Sequence, residues 1–418
     1  VTGGVTLTVE RDENAPEALW LDNGILRMGF LPAAGGRLLS VRLHGQETLW
    51  RDESLLDDRL RPRPGHHVVP HDGNMDAWIN YGGDKTWPAP QGWSGPEEWA
   101  GPPDPVLDSG PYAWDTETHQ DGAVTVVMRS RPDERTGLRL ERRFTLRPRQ
   151  SAYQVSLSAE NASAIPVRWA LWNVTQRRAG APGDGGVWIA VAADRDPDPV
   201  ELVTGTAAPA YQAVRADVVH LAHQDVVGKL GFPTAVGWLA HVAGGTASTQ
   251  VFPVDGGASY PDGGSRAEVW MEYPLDEPLE HLGGLRPRHR IVEIEVLGPL
   301  TELVPGQRAS LEFRCGAAAG TSPVREVAEA GHWGPARRLP GGRLTVDFHA
   351  YVSGRLVPEA AAVPLARVTA GQPIRLELDA SRAGTPLVVV PDEPAGTASA
   401  ETYAAGAVPR PEPGEGQP

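Results

Sequence analysis

Residues 19–43 read LWLDNGILRMGFLPAAGGRLLSVRL. Apolar residues flank Asp22-Asn23-Gly24, a favoured tight-turn sequence, so 19–30 is expected to be a β-hairpin. Residues 32–36 read as a second turn, and 37–43 alternate as a strand. The pattern then repeats along the chain. Segments 124–129, 138–146, 153–160, 167–174, 187–192, 236–242, 267–273, 290–297 and 308–315 have strand character. Residues 138–146 alternate with Leu138, Leu140, Phe144 and Leu146 on one face, and Arg142 is the single charge among them. Helical signal is thin: 324–330 is expected to form two helical turns, and 194–229 does not resolve. Gly (48) and Pro (40) are spread as turn punctuation, which fits an all-β chain of short strands.

The expected organisation is a large β-domain over 1–320 and a small β-appendage over 321–390, with strands at 343–351, 374–378 and 386–390. Residues 391–418 are poor in large apolar residues and are expected to be a disordered tail. A formal net charge of −15 argues against nucleic-acid partners. No apolar run approaches the ~20 residues that span a bilayer. One cysteine, Cys315, excludes an internal disulfide framework. Composition leaves compartment and oligomeric state open.

The chemistry-bearing stretch is 78–112, WINYGGDKTWPAPQGWSGPEEWAGPPDPVLDSGPY. Its prolines suggest a mostly irregular loop. It opens a run holding five of 13 tryptophans, and it contains Lys85, one of two lysines against 36 arginines. Indoles interleaved with amides and carboxylates suit the apolar faces and hydroxyl rims of pyranose rings. Trp87 and Trp93 are the stacking candidates, with Asp84 and Gln91 for hydroxyls. Trp172, Asn173 and Gln176 on the middle strand, and Asp262 and Glu268 near 260–268, complete the expected saccharide-binding set. Lys85 is a candidate base or hydroxyl ligand. Glu293 and Glu295 lie two apart and point to one face of a strand, as a proton-transfer site requires. Gly82-Gly83-Asp84-Lys85 lacks phosphate-loop spacing, and His66, His67, His71 and Asp72 match no metal-ligand spacing. No metal and no cofactor are expected.

Three segments carry a resemblance. Residues 21–50, LDNGILRMGFLPAAGGRLLSVRLHGQETLW, resemble the opening of galactose-mutarotase-like (aldose 1-epimerase-like) domains. Residues 289–313, HRIVEIEVLGPLTELVPGQRASLEF, resemble that superfamily's late strand, turn and final strand, and 80–93, NYGGDKTWPAPQGW, resembles the block of a bacterial branch. The resemblance implies a β-supersandwich with a sugar site on its concave face. It also implies a Glu on the late strand, Glu293 or Glu295, that takes the anomeric proton. The superfamily's middle-strand His is absent: residues 169–176 read WALWNVTQ. His67 and His71, with His66, are the stand-in acids. Three functions follow: an epimerase-type enzyme on a small saccharide or glycan end, a non-catalytic carbohydrate-binding protein, or a polysaccharide-lyase-like enzyme.

Overall fold

The computed structural model describes residues 4–92, 94–320, 323–360, 363–392 and 402–411. Two large antiparallel sheets stack face to face. The first has twelve strands. It runs from Thr6–Asp12 through the hairpin Ala15–Asp22/Leu26–Leu31 and Arg37–Leu43 to Asp84–Ala89, then Val167–Arg178, Ile291–Leu297, Ala267–Glu272, Gly228–Phe232 and Val200–Thr204. The second has ten strands, with Leu138–Leu146, Ala152–Asn161, Arg308–Ala319 and Thr246–Val251 at its centre. The expected all-β sandwich is therefore present. The alternation in Leu138–Leu146 is met in full, each apolar position buried. Beyond these sheets, a five-stranded and a four-stranded sheet enclose a second core that includes Trp333, Phe348, Leu356 and Val389.

Three expectations are corrected. Asp84–Ala89, read as irregular, is a strand paired with Val167–Arg178 along its length. Its other edge pairs only where Asp84 meets Leu38, so a proline at position 88 costs the ladder little. Residues 326–328 form a strand against Gly331–Trp333 rather than helical turns, which lets Val327 bury one face. Within 391–418, expected to be disordered, Tyr403–Ala407 is a strand on Pro386–Pro391, and Tyr403 and Ala405 are buried. Residues 393–401 and 412–418 lie outside the described residues.

Arg142, the anomaly on the apolar face, points between the sheets. It is fully buried, ion-pairs with Asp84 of the opposite sheet and donates to Gly36 O at 2.5 Å. Thr175 donates to Asp84 at 2.6 Å and Gln250 to Thr175 at 2.9 Å, so a polar seam crosses the apolar core. A buried charge left without its partner is costly. Arg142→Met or Asp84→Ala is expected to lower stability by about 3–5 kcal/mol, read from denaturant midpoints, and the double substitution by less than the sum of the singles.

Candidate active site on the outer face of the first sheet

The strand register decides which residues share the outer face of the first sheet. Val174 stands opposite both Lys85 and Glu295, Gln176 opposite Glu293, Trp270 opposite Glu293 and Lys229, and Glu268 opposite Glu295. Side chains alternate along each strand. Lys85, Trp87, Trp172, Gln176, Lys229, Glu268, Trp270, Glu272, Glu293 and Glu295 therefore converge on one face. The chain's only two lysines meet there.

Two ionic groups result. Lys85 Nζ lies 3.0 Å from Glu293 Oε1, and Gln176 Nε2 donates to the same oxygen at 2.6 Å. Both bonds go to Oε1, which leaves Oε2 for a ligand. Lys85 is 1% exposed, while the Glu293 side chain retains 12%. The Lys85 ammonium lies 4.7 Å from the Trp87 ring centre and 5.4 Å from that of Trp78. Burial pulls its pKa down, opposed by the Glu293 carboxylate.

In the second group, Lys229 Nζ bridges Glu268 (2.5 Å) and Glu295 (2.8 Å), and Trp172 Nε1 donates to Glu295 at 2.5 Å. Burial alone would depress Lys229, but the two carboxylates outweigh it and hold the ammonium above its ordinary value. Burial raises Glu268 and Glu295, with Lys229 opposing, and it also raises Asp262. Oε1 of Glu268 and of Glu295 is buried without a partner.

Beside Glu293 sits Glu272, half-buried, accepting from Trp270 Nε1 at 3.1 Å. Burial, then the Glu293 carboxylate, pushes its pKa up to about 8. The sequence reading passed over Glu272, Trp270 and Lys229. Glu272 and Trp270 continue the alternation that begins at Glu268, and Lys229 carried a signal as the only other lysine.

The remaining expected residues divide. Trp87 is on this face but enclosed: its ring contacts those of Trp78, Trp99 and Trp172 at 6.2, 5.1 and 5.2 Å, and its indole N–H donates to Asp108. It packs the floor, and half-buried Trp270 is the more open indole. Asp84 and Asn173, expected to hold substrate, face the sheet interior. Asn173 donates to Asp84 at 2.8 Å within the Arg142 seam, because their strand positions have the opposite parity to Lys85 and Trp172. His71 is spent in its own loop: its Nε2 accepts from Ile79 N–H at 3.2 Å and its Nδ1 faces Val69 O. His67 is exposed on that loop. Neither belongs to the ionic groups. Gln91 lies against Gly101, at the wall of a cavity of about 710 Å³. That cavity is walled by loops leading into Trp78, out of Trp99 and out of the Ala267–Glu272 strand, with Asp76, Arg135 and Glu280 among its polar residues. Trp93 lies outside the described residues. No group of three or more metal-ligating side chains occurs among the described residues.

A family model described as a domain of unknown function, DUF4380, matches residues 17–314. The chain belongs to that family. This DUF4380 protein is also similar in fold to solved structures. A galactose mutarotase-like protein from Lactobacillus casei matches at 11% identity and TM-score 0.44, covering 75% of this chain and 100% of the other. One from Clostridium acetobutylicum matches at 11% and 0.43, covering 76% and 99%. A TPR-domain containing protein from Parabacteroides distasonis matches at 13% and 0.49, covering 77% of this chain and 54% of the longer one.

The raised carboxyls set a pH dependence for the DUF4380 fold. A carboxyl with a folded pKa above its unfolded value binds more protons when folded, so stability is lost as pH rises between the two values. For Glu272 that window runs from 4.5 to about 8. Lys85, depressed, acts in the opposite sense, toward its ordinary value of 10.5. Urea midpoints are expected to fall from pH 5 to 8, with a shallower slope in Glu272→Gln. An equal slope in both proteins would remove Glu272 from the account.

Proposed function

We propose that the outer face of the first sheet binds an aldose and interconverts its anomers by proton transfer, with Glu293 as base and Glu272 as acid. The observation that carries this reading is the adjacency of two carboxyls in opposite electrostatic settings. Glu293 is ion-paired with Lys85, whereas Glu272 is flanked by that same negative charge and holds its proton to about pH 8. A carboxyl that keeps its proton beside an ion-paired carboxylate supplies an acid and a base within one site. The missing middle-strand histidine is then replaced by a carboxyl two strands away, on Ala267–Glu272.

Glu293 Oε2 takes the proton from the anomeric O1–H while the C1–O5 bond breaks and O5 takes the proton from Glu272. The product is the open-chain aldehyde. After rotation about C1–C2, O5 attacks C1 and returns its proton to Glu272, and O1 recovers its proton from Glu293. Lys85 and Gln176 are positioning residues: they fix Glu293 Oε1 and turn Oε2 toward the ligand. Trp270 offers an apolar ring to the sugar's C–H face.

Anomer exchange measured by NMR on α-glucose and α-galactose tests this. Glu293→Gln and Glu272→Gln are each expected to slow the catalysed rate by roughly 100-fold or more, with sugar binding by calorimetry retained. The wild-type rate is expected to decline above about pH 8, where Glu272 loses its proton. Exchange at the buffer rate across a panel of aldoses, with binding intact, would instead leave a carbohydrate-binding protein without this chemistry.

A further inference from the structure

The ligand's charge can be read from what the cations of this face are doing. Lys85 is committed to Glu293 at 3.0 Å. Lys229 is committed twice, to Glu268 and Glu295, at 2.5 and 2.8 Å. Arg178, two positions beyond Gln176 on the same strand, is turned to Glu53 at 3.0 Å. Behind the tryptophans, Arg37 is held by Asp108 at 2.5 Å with both side chains fully buried. At the cavity, Arg135 is paired with Asp104, which also accepts from the Trp99 indole and from Val106 and Leu107 N–H. Each of these cations thus has its counter-ion inside the protein.

The acids are in surplus. Asp262, Glu268, Glu293 and Glu295 share the face with two lysines, Glu272 being the proton-bearing acid of the proposed chemistry, and Asp76 and Glu280 stand at the cavity wall. Buried oxygens are also left without partners: Gln176 Oε1, an amide acceptor, and the carboxyl oxygens Glu268 Oε1 and Glu295 Oε1, on side chains at most 2% exposed. A ligand that satisfies such a site brings hydroxyl donors. One that brings a carboxylate or phosphate finds both lysines already paired and meets like charge from their glutamates.

We propose that the ligand is an uncharged free saccharide, and that Glu268 and Glu295, by occupying Lys229, are the residues that exclude sugar phosphates and uronates. This rests on the saccharide reading above and narrows it. It also disfavours a lyase acting on uronate polymers, which needs a free cation against the substrate carboxylate.

Calorimetry on the wild-type protein with glucose, galactose, glucose 6-phosphate, galactose 6-phosphate and glucuronate separates the possibilities. The expected result is binding of a neutral sugar, with its phosphate or uronate weaker by roughly tenfold or more at low salt. Raising the salt concentration is expected to narrow that gap by screening the repulsion, while leaving the neutral sugar unchanged. In Glu268→Gln, where Lys229 keeps one carboxylate, the ratio is expected to move toward unity. A phosphate or uronate binding as tightly as its neutral parent would overturn the inference and leave the saccharide reading standing. No binding by any of the five would remove the saccharide reading itself.

Discussion

The Arg142–Asp84 pair between the two large sheets sets the geometry of everything above it. Both charges are buried and come from opposite sheets. Their mutual attraction alone would not repay desolvation, which is why Asn173, Thr175 and the Gly36 carbonyl complete the cluster. A strand with the Asp84 side chain fixed inward must turn Lys85 outward, since successive side chains alternate. Position 84 thus anchors the sandwich, and position 85 becomes chemistry without a further design element. Gly82 and Gly83, both at positive φ, bring the backbone into this strand where a Cβ would strike Trp50 O and Leu38 O.

The rarity of lysine acquires a physical meaning at this site. A guanidinium is planar and suits bidentate pairing, as with Arg375 and Asp347 at 2.8 and 3.0 Å. An ammonium is compact and can bridge two carboxylates on neighbouring strands, as Lys229 does between Glu268 and Glu295. It can also sit beneath indole faces, as Lys85 and Lys229 do against Trp87 and Trp172.

Much of this was legible before any coordinates. Period-two alternation gave nearly all the central strands, and it placed Glu293 and Glu295 on one face. The failures share a cause: the facing of a side chain depends on parity within a strand. Where 84–89 was read as a loop because of its prolines, parity was lost, and Asp84 was placed with Lys85 rather than opposite it. Asn173 went astray for a related reason, since Trp172, Asn173 and Gln176 cannot all face one side. Arg142 was visible as an exception, but its partner, 58 positions earlier, was not. Glu272 carries no sequence signal beyond alternation, because its elevated pKa comes from burial and from Glu293 across the sheet.

The same shortage of free cations governs both the proposed acid and the proposed ligand preference. A carboxyl keeps its proton near neutrality only where burial is not offset by a close positive charge. Lys85 opposes the rise at Glu272, but its ammonium is paired with Glu293. A free lysine or arginine placed here to grip a phosphate would ionise Glu272 and remove the proton donor. Under the proposed roles, acid catalysis by a carboxyl and recognition of an anionic sugar are therefore mutually exclusive on this face. The pairing of Lys85 with Glu293, and of Lys229 with Glu268 and Glu295, is the arrangement that keeps the first.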